Sequence, residues 1–523
     1  MKKELGETVA IPKIISMYLP QFHRVKENDE WWGEGFTEWT AVKQADSLFD
    51  GHYQPRIPLN GNYYDLLDKE TMQWQADLMK KYGIDGQCIY HYWFKEGRQI
   101  LEKPAQNLLK WTDIDMPFCF CWANESWART WSGLKNTNAW SAKQEPKKQG
   151  DHNGLLLEQY YGTEEDWRKH FDYLLDFFKD GRYIKIENKP VFMIYKVSDI
   201  YCLRKMIDVW RKLAVEAGFS GIYLIGANVV YSSDAIDMVL LSEPDHALQT
   251  LRALDKKQNG PFRYNYTDVW NEILRYSTEE ERISIQGFVD RDDTPRNGQN
   301  GWVVENAKPE LFRKYLSELI AKNMSNGCDI TFINAWNEWG EGMYLEPDKK
   351  SEYAFLEGVA YARKHYVDYL EKYRTVSGRQ DNKDKKEARE YKELSRRYKS
   401  YWVILNDWLT LKERRVEMKD YFLERGIHSI AIYGIGLLGK HLYFELKDSE
   451  IEINGIIDRE TDFNRKGIAL YQPEGDLPEA DMIVVTVTYA YHEISGQLKK
   501  RGIRNVISLE EIIQTVLSDK GCC

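Results

Sequence analysis

Eight short apolar runs recur along the first ~370 residues, and their spacing restricts the fold more than any other feature of the sequence. We expect them to form strands at residues 13–19, 87–92, 117–121, 191–195, 222–227, 237–241, 283–288 and 329–335. Helical patterns separate most of the runs, most clearly at residues 70–82, 163–179, 202–217, 309–326 and 352–372. Eight strand–helix units over this length predict an α/β fold with a parallel (β/α)8 TIM barrel.

Size and charge exclude several other classes of protein. A chain of 523 residues is too long for one core, so we expect more than one domain. The net charge of -10 argues against a nucleic-acid-binding surface, which would need a basic stripe. The sequence has no run typical of a transmembrane helix, no secretory signal pattern and no cysteine spacing typical of disulfides or zinc. We therefore expect a cytoplasmic protein with no transmembrane segment, no metal site and no required cofactor.

The composition changes along the chain, which predicts three segments. Residues 10–375 form the predicted barrel, where the glycan-active site would lie. Residues 376–423 are interpreted as a charged helical linker, because residues 379–397 carry dense mixed charge and few apolar positions. Residues 424–523 are predicted to form a small Rossmann-like α/β domain.

A glycine-rich motif opens this C-terminal segment. Gly434, Gly436 and Gly439 follow a strand-like run and lead into a helix, and Asp458 ends the next strand-like run. This order and spacing are typical of a turn that binds a nucleotide phosphate and an acid that binds its ribose. The motif therefore indicates a nucleotide or nucleotide-sugar site, although a purely structural or oligomerising module is the alternative.

The end of the eighth predicted strand carries two carboxylates, Glu338 and Glu341, among tryptophans and glycines. In a regular strand these two side chains would face opposite ways, but turns at Gly340 and Gly342 allow both carboxyls to enter one pocket. Two carboxylates near indole rings are typical of glycosidic-bond chemistry. An acidic structural loop is the alternative interpretation.

The segments after the first, second, third and seventh predicted strands are also rich in aromatic, amide and charged residues. In a (β/α)8 barrel these segments meet on one rim, where the chemistry of such enzymes takes place. Candidate substrate-binding residues, including those around the acid pair, are Tyr18, His23, Glu38, Trp39, His91, Tyr92, Trp93, Trp122, Asn124, Glu125, Arg291, Asp292, Trp336, Asn337 and Trp339. Several have structural alternatives: a buried core histidine for His91, and a surface ion cluster for Arg291 and Asp292.

Residues 14–23, 31–39, 121–127 and 336–347 together resemble WbsX-type bacterial surface-polysaccharide proteins, a branch similar to the family 99 endo-α-mannosidases. The resemblance covers roughly residues 10–370. It implies a glycosyltransferase of O-antigen or capsule synthesis, or a related retaining hydrolase of α-mannosides. The C-terminal segment resembles sugar-nucleotide-type Rossmann modules fused to polysaccharide-biosynthesis enzymes.

The resemblance also implies roles for the acid pair. Glu338 would deprotonate the sugar 2-hydroxyl, which attacks its own anomeric carbon to give a 1,2-anhydro intermediate, and Glu341 would be the general acid/base. The hydrolases have a histidine where this chain has Gly340, which leaves the substrate open. A non-catalytic glycan-binding scaffold and a cation site among the rim carboxylates are further alternatives.

Overall fold

A computed structural model of the protein describes residues 11–128, 155–200, 202–227, 235–251, 253, 260–276, 282–373, 401–402, 404–459 and 468–519. The chain divides into two compact units, residues 1–380 and 381–523.

The first unit contains eight parallel strands. They are Lys13–Tyr18, Gly86–His91, Phe118–Trp122, Lys189–Ile194, Tyr223–Ala227, Met238–Leu241, the pair Ile283–Ile285 and Gly287–Phe288, and Ile330–Asn334. Neighbouring strands pair in chain order, and the first pairs with the eighth. The seventh strand is interrupted only at Gln286; its first piece pairs with the sixth strand and its second piece with the eighth. The sheet therefore closes into the predicted (β/α)8 barrel.

Helices surround the barrel. Those that follow its strands are Lys69–Tyr82, Lys103–Lys110, Glu164–Lys179, Leu203–Glu216, Tyr266–Arg275, Pro309–Ser325 and Ala354–His365. The first is representative, because Met72, Ala76 and Met79 recur at helical spacing on its buried face. It ends at Gly83, whose left-handed φ of 75° is the usual helix stop. The strands are buried on both faces, as expected for strands enclosed by helices.

The second unit is a five-stranded parallel sheet, in agreement with the predicted Rossmann-like class. Its strands lie in the order Leu470–Tyr471, Glu452–Ile457, Ser429–Tyr433, Met482–Val485 and Val506–Ser508. Its helices are Met418–Leu423, Leu437–Leu446, Tyr491–Lys500 and Leu509–Asp519. Ile404, Trp408 and Leu411 pack into the core of this unit, so this part of the predicted 376–423 linker belongs to it. Residues 374–400 of the linker region lie outside the described residues.

Across the described ranges, no helix combines the length and the hydrophobicity that crossing a lipid bilayer requires.

Candidate active site

The two predicted catalytic carboxylates lie on a tight turn directly after the eighth barrel strand. Asn337–Glu338 pairs antiparallel with Met343–Tyr344, and a single 3-10 turn, Trp339–Glu341, connects them. Gly342 closes the turn with φ of 68°, a conformation that favours glycine. Gly340 is needed for a different reason, since a Cβ there would overlap the Oε1 atom of Glu38.

Arg296 holds the two carboxylates together. Its Nη2 donates to Glu338 Oε2 at 2.9 Å and its Nη1 to Glu341 Oε1 at 2.5 Å. Its Nε donates to Glu38 Oε1 at 2.7 Å, so one guanidinium serves three acids. Because these nitrogens belong to one rigid planar fork, the bonded oxygens of Glu338 and Glu341 are at most about 8 Å apart. This upper limit is below the largest separation found for paired acids that act on one glycosidic bond.

A second arginine distinguishes the two carboxylates. Arg291 donates to Glu341 Oε2, so both oxygens of Glu341 are bound to guanidinium groups, whereas Glu338 is bound to Arg296 alone. The Nη2 atom of Arg291 also lies 3.3 Å from oxygens of both Asp245 and Asp293. Glu341 is therefore the better compensated anion of the pair.

The pKa values follow this asymmetry. Burial, reinforced by the charges of Glu341 and Glu38, raises the pKa of Glu338 to about 8 despite the opposing effect of Arg296. Burial also tends to raise the pKa of Glu341, but Arg291 and Arg296 outweigh it and hold this pKa below its usual value. These opposite pKa shifts favour the proton on Glu338 and the negative charge on Glu341. This resting distribution is the opposite of the one that the resemblance implies for a base at Glu338 and an acid at Glu341.

Both carboxylates line an open cleft of about 1510 Å³ at the carboxyl ends of the barrel strands. Aromatic side chains form much of its wall, namely Trp32, Phe36, Tyr90, Tyr92, Trp127 and Tyr195. Five of the described lining residues are acids and one is a cation, namely Glu38, Glu125, Asp245, Glu338, Glu341 and Arg296. The cleft is therefore aromatic and acidic.

Five of the residues proposed from the sequence line this cleft: Glu38, Tyr92, Glu125, Glu338 and Glu341. Glu125 is ion-paired with Lys196, and Arg291 reaches the cleft through its contact with Glu341. The catalytic and binding roles of these side chains stay predictions.

The tryptophans and the amide near the acid pair lie behind the cleft wall, which corrects their assignment as direct sugar contacts. Trp336, Trp339 and Trp39 are at most 4% exposed. The Trp339 ring stacks on Tyr344 at 3.7 Å. Asn337 binds the backbone of Leu19, accepting from its N–H at 2.8 Å and donating to its carbonyl at 3.0 Å. These side chains position the turn that carries the acids.

Tyr18 of the first strand, His23 in the loop after it and His91 of the second strand also lie away from the cleft. Tyr18 is buried and donates to Gln75 Oε1 at 2.8 Å. His91 lies with its Nε2 2.9 Å from that of His170, and burial lowers the pKa of His91 to about 3, so it is the core histidine of the alternative interpretation. His23 is also buried, and burial lowers its pKa. None of these residues lines the cleft.

Three more proposed residues support the third-strand loop. Trp93 stacks on His170 at 4.5 Å, and the Trp122 indole donates to the Trp93 carbonyl at 3.1 Å. Asn124 is buried and bonds both the N–H and the carbonyl of Lys196, each at 2.8 Å. None of these three side chains lines the cleft.

Asp292 is also structural. Its Oδ2 atom accepts from Gln54 at 2.7 Å and lies 2.9 Å from the Nε2 of His52, while Oδ1 accepts from the Thr294 hydroxyl at 2.6 Å. Burial opposes ionisation, but His52 and Arg56 lower the pKa of Asp292 to about 2. The predicted alternative was a surface ion cluster, whereas the ion cluster that contains Asp292 is buried.

Sequence reasoning missed several lining residues, above all Arg296. It follows the seventh strand in a segment that the sequence had singled out, but nothing in the local pattern separated it from its neighbours. Tyr90 ends the second strand, and Tyr195 and Asp245 follow the fourth and sixth. The position directly after a barrel strand was the signal available for them.

Among the described residues, no group of three or more His, Cys, Asp or Glu side chains is arranged to hold a metal ion. In the second unit, Gly434 has φ of 92°, and a Cβ at Gly439 would overlap the Gly434 carbonyl. Gly436 has no atom within 4 Å of a Cβ position, so its backbone is open to a ligand. Asp458 Oδ2 accepts from the Ile435 N–H at 2.7 Å, which ties the acid to the glycine-rich turn.

A closed parallel barrel with an acidic, aromatic cleft at the carboxyl ends of its strands is the arrangement of a (β/α)8-barrel enzyme. The sequence profile of the family described as Glycosyltransferase WbsX matches residues 14–359. The chain therefore belongs to the WbsX glycosyltransferase family, which confirms the resemblance and agrees with the expectation of a carbohydrate-active enzyme.

Relatives and solved structures share parts of this chain. Two curated proteins from strains of Xanthomonas campestris pv. campestris, both described as Uncharacterized protein WxcX, are 29% identical over 375 residues, 68% of this chain and 51% of each relative. The chain thus spans about half the length of these relatives. The GH99 endo-alpha-mannosidase from Bacteroides thetaiotaomicron is 15% identical, with 69% of this chain and 98% of that chain covered at a TM-score of 0.41. A glycoside hydrolase-like protein is 14% identical, with 68% and 97% covered at a TM-score of 0.40.

Proposed function

We propose that the barrel makes or cleaves an α-glycosidic bond of a bacterial surface polysaccharide, with Glu338 and Glu341 as the catalytic acids. The observation that carries this proposal is the attachment of both carboxylates to the single guanidinium of Arg296 in the wall of an open aromatic cleft. Membership in a glycosyltransferase family supports the substrate class.

The charge of the cleft favours a neutral glycan over a sugar diphosphate as the bound substrate. A diphosphate group needs excess cationic or backbone N–H donors, whereas Arg296 is the single cation among the described lining residues and is already bound to three acids. Aromatic walls suit the apolar faces of sugar rings, and carboxylates suit their hydroxyls. Transfer and hydrolysis then differ in whether a glycan hydroxyl or water accepts the cleaved sugar.

The resting protonation assigns starting roles within this proposal. Glu338, with its raised pKa, would donate its proton to the leaving glycosidic oxygen as the bond to the anomeric carbon breaks. Glu341, ionised between two arginines, would accept the proton of the sugar 2-hydroxyl, whose oxygen closes onto the anomeric carbon as the 1,2-anhydro intermediate. The resemblance implies the reverse assignment.

Product analysis tests the function. We would incubate the full chain with α-linked manno- and gluco-oligosaccharides, with and without nucleotide sugars, and identify products by mass spectrometry. Released sugars indicate hydrolysis and longer chains indicate transfer; Glu338→Gln and Glu341→Gln should each lower turnover at least about 100-fold. Glu310→Gln, on an outer helix, is the matched control. Glycan binding without turnover in the wild type would instead support a non-catalytic scaffold.

A glycosyl fluoride separates the two roles, because fluoride leaves without protonation. The variant that lacks the acid should retain far more activity on the fluoride than on the oligosaccharide, while the variant that lacks the base should lose both. Retained fluoride activity in Glu341→Gln, and not in Glu338→Gln, would reverse our assignment.

For the second unit we propose a nucleotide or nucleotide-sugar site at Gly434, Gly436, Gly439 and Asp458. The glycine-rich turn follows the strand Ser429–Tyr433, which lies between the strands Glu452–Ile457 and Met482–Val485, so the strand order reverses beside it. Doubly wound sheets bind ligands at such a reversal. The buried Thr488 hydroxyl in the loop after the neighbouring strand has no protein partner among the described residues. Calorimetric titration of the full chain with uridine and guanosine diphosphate sugars tests this site. Gly436→Asp should abolish the binding, and silence across the panel would leave a structural module.

A further inference from the structure

A second cavity lies beside the turn that carries the catalytic acids. It is open to solvent, has a volume of about 800 Å³, and shares no lining residue with the cleft. The first-strand loop, residues 58–64, forms one wall, and residues 346, 347 and 353 of the eighth-strand loop form another. Trp74, from the helix Lys69–Tyr82, and Trp339, from the catalytic turn, complete the lining.

Four lining side chains have hydrogen-bonding groups that the protein does not use. The amides of Asn60 and Asn62 are exposed, and Trp74 and Tyr353 are half-buried. Among the described residues, none of these four side chains forms a hydrogen bond within the protein. The rings of Trp74 and Tyr353 are otherwise packed, against Tyr64 at 6.1 Å and Tyr82 at 6.2 Å, so they present fixed aromatic surfaces.

The cavity has almost no charge to offer a ligand. Glu346 is its one ionisable acid or base among the described lining residues, and it is 3% exposed. Its oxygens accept from Tyr64, Gln75 and Trp339 at 2.7 to 2.8 Å, and burial raises its pKa to about 7. None of the described lining residues is a lysine, arginine or histidine, so the lining itself offers no counter-ion to a phosphate or an acidic peptide. A neutral, hydroxyl-rich ligand with an apolar face fits the two amides and the two rings.

We propose that this cavity is a second carbohydrate-binding site, which takes a neutral oligosaccharide independently of the cleft. The cavity borders Trp339, which directly follows Glu338, is 1% exposed, and is bound to Glu346 through its indole N–H at 2.7 Å. A glycan held here would thus lie against the back of the catalytic turn. The proposal needs carbohydrate as the ligand but does not depend on catalysis in the cleft.

Tryptophan indole resonances test the site in the full chain. Protein labelled with 15N at tryptophan is titrated with α-mannotetraose, maltotetraose and cellotetraose up to about 10 mM, above a Kd of about 1 mM. The Trp74 signal is assigned by its loss in Trp74→Phe. We expect at least one of the three sugars to shift this signal, whereas the signals of Trp32 and Trp127 report on the cleft.

The amide variant decides whether the shift comes from this cavity. Asn60 has φ of 57°, so it is replaced by glycine, which tolerates that conformation, while Asn62 is replaced by alanine. Asn60→Gly with Asn62→Ala should weaken the Trp74 response about tenfold through two lost hydrogen bonds. The cleft signals should not change.

Two results would overturn the proposal: no Trp74 shift with any of the three sugars, or an unchanged shift in the amide variant. Glu338→Gln with Glu341→Gln should keep the Trp74 response. Loss of turnover alone therefore reports on the cleft, and loss of the Trp74 response alone reports on the second site.

Discussion

Replacing Glu338 by glutamine should make the barrel more stable at neutral pH, although it removes a proposed catalytic group. The native pKa of about 8 lies above the usual 4.5, so the folded state binds more protons than the unfolded state between these values. The stability of the wild type therefore falls as the pH rises from about 4.5 to about 8. The loss is ~1.4 kcal/mol per pH unit where the carboxyl is protonated in the folded state and ionised in the unfolded state. Glutamine carries no charge at any pH, so the variant escapes this loss.

The expected gain grows with pH. Glu338→Gln should match the wild type within about 1 kcal/mol near pH 4.5 and exceed it by about 3 kcal/mol at pH 7, where the native carboxyl still holds its proton but the unfolded one does not. Glu341→Gln should have the opposite sign. The pKa of Glu341 lies below its usual value, so its stabilising contribution is present above about pH 4.5 and is lost as pH falls through the native pKa.

Urea unfolding between about pH 5 and pH 8 measures both differences. Of the 18 tryptophans, all but Trp402 and Trp408 precede residue 340, so near-ultraviolet circular dichroism follows the barrel. The reasoning is refuted if the two variants change stability in the same direction at pH 7. It is also refuted if the difference between Glu338→Gln and the wild type does not vary with pH.

Three other predictions follow from the contacts of the site. Arg296→Met should destabilise the barrel by ~3 kcal/mol at pH 7, because it leaves buried carboxylates uncompensated. Adding Glu38→Gln should recover part of the lost stability, which urea unfolding in a double-mutant cycle measures. Gly340→Ala should lower the melting temperature and turnover together, since its Cβ would displace Glu38 from Arg296; a fully active variant would contradict the geometry. Asp292→Asn should lower stability by ~2 kcal/mol above about pH 4 while leaving KM unchanged, and a raised KM would instead restore Asp292 as a substrate contact.

The fold could be predicted closely because its signals are local. All eight predicted strands are present within a few residues, since strands covered on both faces must be continuously apolar. Of the helices that follow barrel strands, Lys103–Lys110 and Tyr266–Arg275 were not predicted; both are amphipathic, but at 8 and 10 residues they are short for a periodic pattern to stand out. The predicted helix at 352–372 is instead Ala354–His365 followed by a 3-10 turn, because its last turns tighten.

The candidate site could be predicted only in part. The sequence located the acid pair, and the turn at Gly342 brings both acids to one cleft as expected. The aromatic residues were harder to assign. Trp39, Trp122 and Trp339 occur in sequence surroundings like those of Tyr92 and Trp127, and all five are buried, but of the five only Tyr92 and Trp127 line the cleft. Whether a ring faces a substrate or a core depends on what packs against it, which the local pattern does not contain.

The sequence by itself determined the closed barrel, the small second α/β unit and the rim on which chemistry can occur, since the order of buried runs leaves few other topologies. The tertiary structure alone decided the electrostatics of the site. Arg296 and Glu38 are 258 positions apart in the chain, yet they meet beside Glu338 once the barrel closes. Burial tends to raise the pKa of both acids, and Glu341 contacts two arginines whereas Glu338 contacts one, which sets the order of their pKa values. Both effects depend on the packed three-dimensional arrangement rather than on any stretch of sequence.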